Sequence, residues 1–154
     1  ASDSTRAVAG ELFATEASRR GVAGLVIDGP VRDVRSFADM TSATPFSVYA
    51  TSHTPYSGGT RHVGELQVAV SCCGVRVNPG DVVVGDDDGI VVGGVEDFGR
   101  VIDLAEEIEA AEDKILWGMS SGEGLSLFDM TNFDEHVEKR MRGEDSSLQF
   151  RFDE

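Results

Sequence analysis

Residues 22–29, VAGLVIDG, form a short and almost wholly apolar run that limits the fold more than any other segment. A strand apolar at successive positions is covered on both faces, as in α/β sheets; a half-solvated hairpin would alternate. The run ends at Asp28-Gly29-Pro30, a strong breaker, and Val31–Asp39 then suits a second helix. Ahead of the run, residues 4–20 read as a helix, with Ser4 or Thr5 as cap, Arg19 and Arg20 suiting its C-terminal dipole, and Gly21 as its stop. A strand–helix order at this point predicts an α/β layered architecture rather than an all-β barrel.

Downstream the pattern becomes β-rich. FSVYATS (46–52) is strand-like, and residues 53–64, HTPYSGGTRHVG, are a Gly-rich loop. ELQVAVSCCGVRV alternates with period two and turns near Cys73-Gly74. Asn78-Pro79-Gly80-Asp81 is a turn, and Asp88-Gly89 signals a hairpin between two short β runs. Val95 to about Gly118 is the longest predicted helix, with Val101, Ile102, Leu104, Ala105, Ile108, Ala111, Ile115 and Leu116 near helical spacing. The expected division is an α/β domain over 1–118 and a carboxy-terminal extension over 119–154. The extension holds a Ser/Gly loop and a short helix in NFDEHVEKRMRGE. It ends in SSLQFRFDE, an edge strand or an arm on a neighbouring subunit.

Charge narrows the partners. Thirteen basic residues face 28 acidic ones, a net charge of −15, which disfavours nucleic acid and anionic membrane surfaces. No apolar run reaches the roughly 20 residues needed to cross a bilayer, and the first ten residues do not read as a secretory signal. Lys114 and Lys139 are the only lysines, and an acidic, lysine-poor surface is a halophile pattern as well as an aid to solubility. Adjacent Cys72 and Cys73 suit neither a disulfide framework nor metal spacing, so the expected compartment is reducing and cytoplasmic.

Chemistry has three candidate places. At the corner IDGPVRD (27–33), a buried strand delivers Arg32 and Asp33 to its C-terminal end, where α/β proteins place ligands. Arg32 offers a planar fork for a carboxylate or keto acid, and Asp33 is a hard oxygen ligand suited to Mg²⁺ or Mn²⁺. The two could equally pair locally and cap a helix. The second place is the first helix: if it is interrupted near Ala9-Gly10, the amides of Leu12 and Phe13 point at an anion beside the acid Glu11. Otherwise Glu11 is a solvated helix carboxylate. The third is the acid cluster Asp81, Asp86, Asp87 and Asp88, whose spacing misses the calcium loop and reads as a hairpin turn. His53 and His62 lie in the Gly-rich loop, and neither they nor His136 have zinc spacing, so surface roles are expected. Lys114 and Lys139 sit among charged residues, which argues against Schiff-base chemistry and makes metal activation the better route to any carbonyl reaction.

Residues 10–34, GELFATEASRRGVAGLVIDGPVRDV, and 77–92, VNPGDVVVGDDDGIVV, resemble the family of regulator of ribonuclease activity A and the class II 4-hydroxy-4-methyl-2-oxoglutarate aldolases. The resemblance covers roughly residues 1–115. Its aldolase branch carries an acid, twenty residues, then Arg-Asp, matched here by Glu11, residues 12–31 and Arg32-Asp33. Glu11 stands where those aldolases have Asp, Ala9 stands where relatives often have Trp, and the family's amino-terminal portion has no match here. The resemblance implies an α/β sandwich of the swivelling-domain type with a central mixed sheet. It implies a divalent-metal-dependent lyase that cleaves a C–C bond of a 2-keto acid, releasing pyruvate through an enolate stabilised by the metal and Arg32. Asp33 would hold the cation (Mg²⁺ or Mn²⁺), largely through water, Glu11 would order those waters, and Arg32 with the Leu12 and Phe13 amides would grip the pyruvate-like end. Aldol cleavage and oxaloacetate decarboxylation share that enolate. A homotrimer or hexamer with sites between subunits is implied. The other branch implies a non-catalytic protein that binds a ribonuclease, and Glu11, usually lacking there, tilts the reading to the enzyme.

Overall fold

The computed structural model describes residues 5–60, 63–121 and 126–151. His62 lies outside them, as do Ser4 and most of the predicted Ser/Gly loop. The chain divides into two compact units, Ala1–Gly94 and Val95–Glu154. The division falls at the start of the long helix.

The first unit is mixed α/β: α1 (Glu11–Arg19), β1 (Gly24–Val31), α2 (Val34–Ala43), β2 (Ser47–His53), β3 (Val70–Cys72), β4 (Val75–Val77), β5 (Val82–Gly85) and β6 (Ile90–Gly93). β1 and β2 run parallel, with α2 as the crossover between them, which is the βαβ unit that an apolar strand followed by a helix calls for. β3–β4 and β5–β6 are antiparallel pairs, so the described strands form three two-stranded sheets where one central mixed sheet was expected. Each short hairpin closes on itself through its own turn, and β1 touches β3 without a shared ladder. The core lies where α1 and α2 cover the β1–β2 pair: Ala9, Ala14, Val31, Phe37 and Phe46 are buried, with Leu25, Ile27 and Val48 packed against them. Val26 stays 43% exposed, so β1 is not covered at every position.

Two predicted boundaries move. The helix expected from Ser4 begins only at Glu11, because Ala7 and Ala9 are drawn into bridges with Ser57 and Val31. The Val8 amide donates to the Pro30 carbonyl at 2.8 Å and the Arg32 amide to the Ala9 carbonyl at 3.1 Å. Tertiary pairing here overrides the helical propensity of alanine. The breaker Asp28-Gly29-Pro30 does not end β1, which continues to Val31. The ladder shifts register between Ile27 and Pro30, an irregularity that accommodates a residue with no N–H to give.

The turns follow their residues. Cys73 (φ 51°) and Gly74 (φ 83°) both adopt the left-handed region that a tight two-residue hairpin needs. Asp86 Oδ1 accepts the amides of Asp88 at 2.8 Å and Gly89 at 3.0 Å, so the acid cluster makes a turn, as its spacing implied. Cys72 and Cys73 are free thiols. On β1, Asp28 is held below the usual aspartate range, chiefly by the backbone N–H of Cys73.

The second unit holds α3 (Val95–Ser120) and α4 (Phe133–Met141). α3 follows its predicted span, with Ile115 and Gly118 buried and Leu104, Ile108, Leu116 and Trp117 exposed. The terminal segment returns to its own unit: Phe150 bridges Thr131, and the Gln149 amide donates to Asn132 Oδ1 at 2.7 Å. Glu135 clamps this return, meeting Lys139 at 2.8 Å and Arg151 at 3.3 Å. The hydrogen bond from Lys139, and then its charge, hold Glu135 below the usual glutamate range, with Arg151 adding to the effect. A depressed carboxylate stabilises the fold above its unfolded value, about pH 4.3, and that contribution is lost as pH falls through the folded value. Glu135→Gln is therefore expected to lower the melting temperature slightly near neutrality, where the contribution is fully present, and to converge on wild type as pH falls below about 4.3, as read by circular dichroism.

Candidate functional site

The site is built where β1 ends against the start of α1. Asp33, the residue between β1 and α2, sits at φ 64° and ψ 37°, a left-handed conformation that aspartate tolerates better than most residues. That conformation turns its carboxylate back toward α1. Oδ2 accepts the Glu11 amide at 3.0 Å and lies 3.4 Å from Arg32 Nε. The Asp33 carboxylate therefore caps α1, whose own N-cap, Gly10, supplies no side-chain cap. Both side chains of the pair are partly covered, 39% and 36% exposed for Arg32 and Asp33. The local pairing and helix capping that the sequence offers as one alternative are thus both present.

Gly10 is the hinge of the arrangement. A Cβ there would lie 2.7 Å from Asp33 Oδ2, 2.8 Å from Arg32 Nε and 2.9 Å from Arg32 Cγ. Gly10→Ala must push the guanidinium and the carboxylate away from the helix start. It is expected to lower any activity of this site about 10- to 100-fold, a size set by misplacement of about an ångström, while the melting temperature moves by only a few degrees. Parallel turnover and melting measurements check this.

Beside the pair opens a cleft of about 540 Å³, lined by Arg32, Gly10, Leu12 and Phe13 on one side and by Arg6 and the Ser57–Thr60 loop on the other. Leu12 and Phe13 lie in the first turn of α1, where amides have no intrahelical carbonyl to pair with and favour an anion. The structure thus brings together Arg32, Leu12 and Phe13 in the cleft, and joins Asp33 to them through Arg32 and the Glu11 amide. The Glu11 and Asp33 side chains are not among the cleft's lining groups. His53 lies apart, in a groove of about 500 Å³ with Val31, Phe37, Val48 and Asp87.

For a cation, Asp33 is the hard donor at hand and Glu11 is the next acid. Among the described residues no group of three or more His, Cys, Asp or Glu side chains is placed to hold a metal ion. One carboxylate suits a cation that keeps most of its water, the habit of Mg²⁺, and does not suit an all-protein cage.

Sequence reasoning names Gly10 only as a break in the first helix, and it misses Arg6 and the Ser57–Thr60 wall. Arg6 falls in the part of the predicted helix that is extended instead, and the loop meets that segment through the Ala7–Ser57 bridge and the hydrogen bonds beside it.

The first unit thus sets the Arg32 guanidinium and the first turn of α1 on one cleft, with the Asp33 carboxylate joined to them from outside its lining, donors whose chemistry suits a small anion. The chain belongs to the RraA-like family, Aldolase/RraA, which matches residues 1–92. It is 42% identical over 119 residues to "Uncharacterized protein MJ0644" of Methanocaldococcus jannaschii, covering 77% of this chain and 55% of that protein. It is 38% identical over 90 residues to "Putative 4-hydroxy-4-methyl-2-oxoglutarate aldolase" of Halalkalibacterium halodurans, covering 58% of this chain and 41% of that protein. Among solved structures it resembles the RNA-processing inhibitor RraA from Thermus thermophilis, with TM-score 0.50 and 31% identity over 56% of this chain and 51% of that one. It also resembles a Pseudomonas syringae pv. tomato protein, with TM-score 0.65 and 27% identity over 77% and 57%. The chain spans about half the length of the curated relatives it matches.

Proposed function

We propose that this chain carries the site of a divalent-metal-dependent lyase that cleaves a C–C bond of a 2-keto acid and yields pyruvate, as a 4-hydroxy-4-methyl-2-oxoglutarate aldolase, an oxaloacetate decarboxylase, or both. The observation that carries this reading is the Arg32–Asp33 pair bonded to the start of α1 beside an anion-sized cleft. The aldolase names of several relatives support it.

In this reading Arg32 and the Leu12 and Phe13 amides bind the carboxylate of the pyruvyl end and orient its keto group. Asp33 fixes the guanidinium beside it. A divalent cation held by Asp33, with Glu11 ordering its water shell, would supply Lewis-acid polarisation of the keto oxygen. Arg32 stabilises negative charge that gathers on that oxygen as the C–C electron pair moves into the enolate. The departing fragment leaves as a second carbonyl compound, its hydroxyl proton passing to water, or as CO₂ from oxaloacetate, and water protonates the enolate carbon to give pyruvate. The reading includes the layered, swivelling-type sandwich, a cytoplasmic protein, and a trimer or hexamer. The exposed Leu12 and Phe13 at the cleft support assembly, since 82% and 61% exposure is high for such side chains at a site.

The test is pyruvate release from oxaloacetate and from 4-hydroxy-4-methyl-2-oxoglutarate with Mg²⁺ or Mn²⁺. Release that chelator abolishes and added metal restores is expected; no metal-dependent release from either substrate overturns the reading. A regulator that binds a ribonuclease is the second reading, favoured by the 31% identity to the Thermus RraA inhibitor and to Streptomyces coelicolor RraAS2. Its acidic surface would dock on basic segments of that partner.

A further inference from the structure

The cleft beside Arg32 has the wrong sign for the molecule that carries it. The chain has a net charge of −15 and 28 acidic residues, so a surface hollow chosen at random would carry carboxylates. Among the described residues, this cleft is lined by two arginines, Arg6 and Arg32, and by no acidic side chain. A negative molecule repels anionic ligands at a distance, so binding one requires a local positive hollow.

The two guanidinium groups arrive from different elements. Arg32 follows β1 and is steadied by Asp33 at 3.4 Å. Arg6 belongs to the extended segment before α1 and is steadied from the opposite wall, its Nη1 donating to the Ser57 carbonyl at 3.0 Å. The Ala7 amide, donating to the Tyr56 carbonyl at 2.9 Å, fixes that segment against the loop. Gly58 permits the closeness, since a Cβ there would overlap the Ala7 carbonyl oxygen. Each arginine is thus anchored by its own backbone setting, and both face one volume of about 540 Å³, enough for a small acid with charge at both ends.

We propose that Arg6 is a specificity-determining residue that binds the second carboxylate of a dianionic 2-keto acid whose pyruvyl carboxylate is held at Arg32. This rests on the keto-acid reading above and adds to it the residue that selects two charges over one. A fork that pairs with a carboxylate in a partly open cleft gives a charge-assisted bond, enough for about a tenfold preference.

Binding calorimetry with Mg²⁺ present tests it, using 2-oxoglutarate (two carboxylates) and 2-oxobutyrate (one carboxylate) as probes. Wild type is expected to bind 2-oxoglutarate about tenfold more tightly. Arg6→Gln should erase that preference and leave 2-oxobutyrate affinity unchanged, Arg6→Lys should keep part of it, and Arg32→Gln should weaken both probes. Equal loss of both probes in Arg6→Gln, an unchanged preference, or a preference lost in Arg6→Lys overturns the role of Arg6. If wild type binds neither probe and releases no pyruvate in the assay above, the keto-acid reading itself has failed. Wild-type binding with an indifferent Arg6→Gln sinks only the second anchor.

Discussion

Arg32→Ala is expected to cost about 10²- to 10³-fold in kcat/KM for metal-dependent pyruvate release, the size seen when one preorganised donor to developing negative charge is removed. The loss should fall on both parameters. KM rises because the substrate carboxylate loses its planar partner, and kcat falls because the enolate oxygen loses a stabilising charge. Arg32→Lys separates the two demands. It keeps the charge but gives up the fork and the Nε that lies 3.4 Å from Asp33 Oδ2, so it should recover part of kcat and little of KM. Steady-state kinetics on oxaloacetate across the three proteins decides this, and a variant with wild-type kcat/KM removes Arg32 from the site. Stability is not expected to follow activity, because an ion pair 39% and 36% exposed contributes little to folding.

Much of this site is local in sequence, which is why it was legible. Arg32 and Asp33 adjoin a run whose apolar content marks a buried strand, and a strand's C-terminal end is where ligands gather. Cys73-Gly74 and Asp86–Gly89 were equally plain, since their turns depend on the conformational tolerance of the residues inside them. What failed was whatever depends on a distant partner. Ala7 and Ala9 look helical in isolation, and their bridges to Ser57 and Val31 lie tens of residues away. Pro30 looks like a stop, and the register shift in β1 absorbs it. Because Arg6 was assigned to a helix, its place opposite Arg32 had no local signal at all. The three separate strand pairs follow the same logic: neighbours in sequence find each other, and a central sheet needs strands brought from further off.

Asp33→Asn is expected to remove metal-dependent turnover, about 10³-fold or more, while the fold persists. The substitution is chosen for what it leaves alone. Asparagine tolerates φ 64° as aspartate does, keeps the volume, and still offers an oxygen to the Glu11 amide 3.0 Å away. It removes the negative charge that faces Arg32 and would hold a hydrated cation. A melting shift of a few degrees at most is therefore expected, against a near-complete loss of chelator-sensitive activity. Asp33→Ala confounds these effects, because alanine strains the left-handed backbone and leaves the start of α1 uncapped, so its loss of activity would carry less meaning. Titrating Mg²⁺ into both wild type and Asp33→Asn gives the deciding curve. A wild-type requirement that moves to far higher metal, or vanishes with the activity, assigns the cation to Asp33. Full activity at unchanged Mg²⁺ dependence would reduce Asp33 to the cap of α1 and the brace of Arg32, and the cation would then belong to other oxygens.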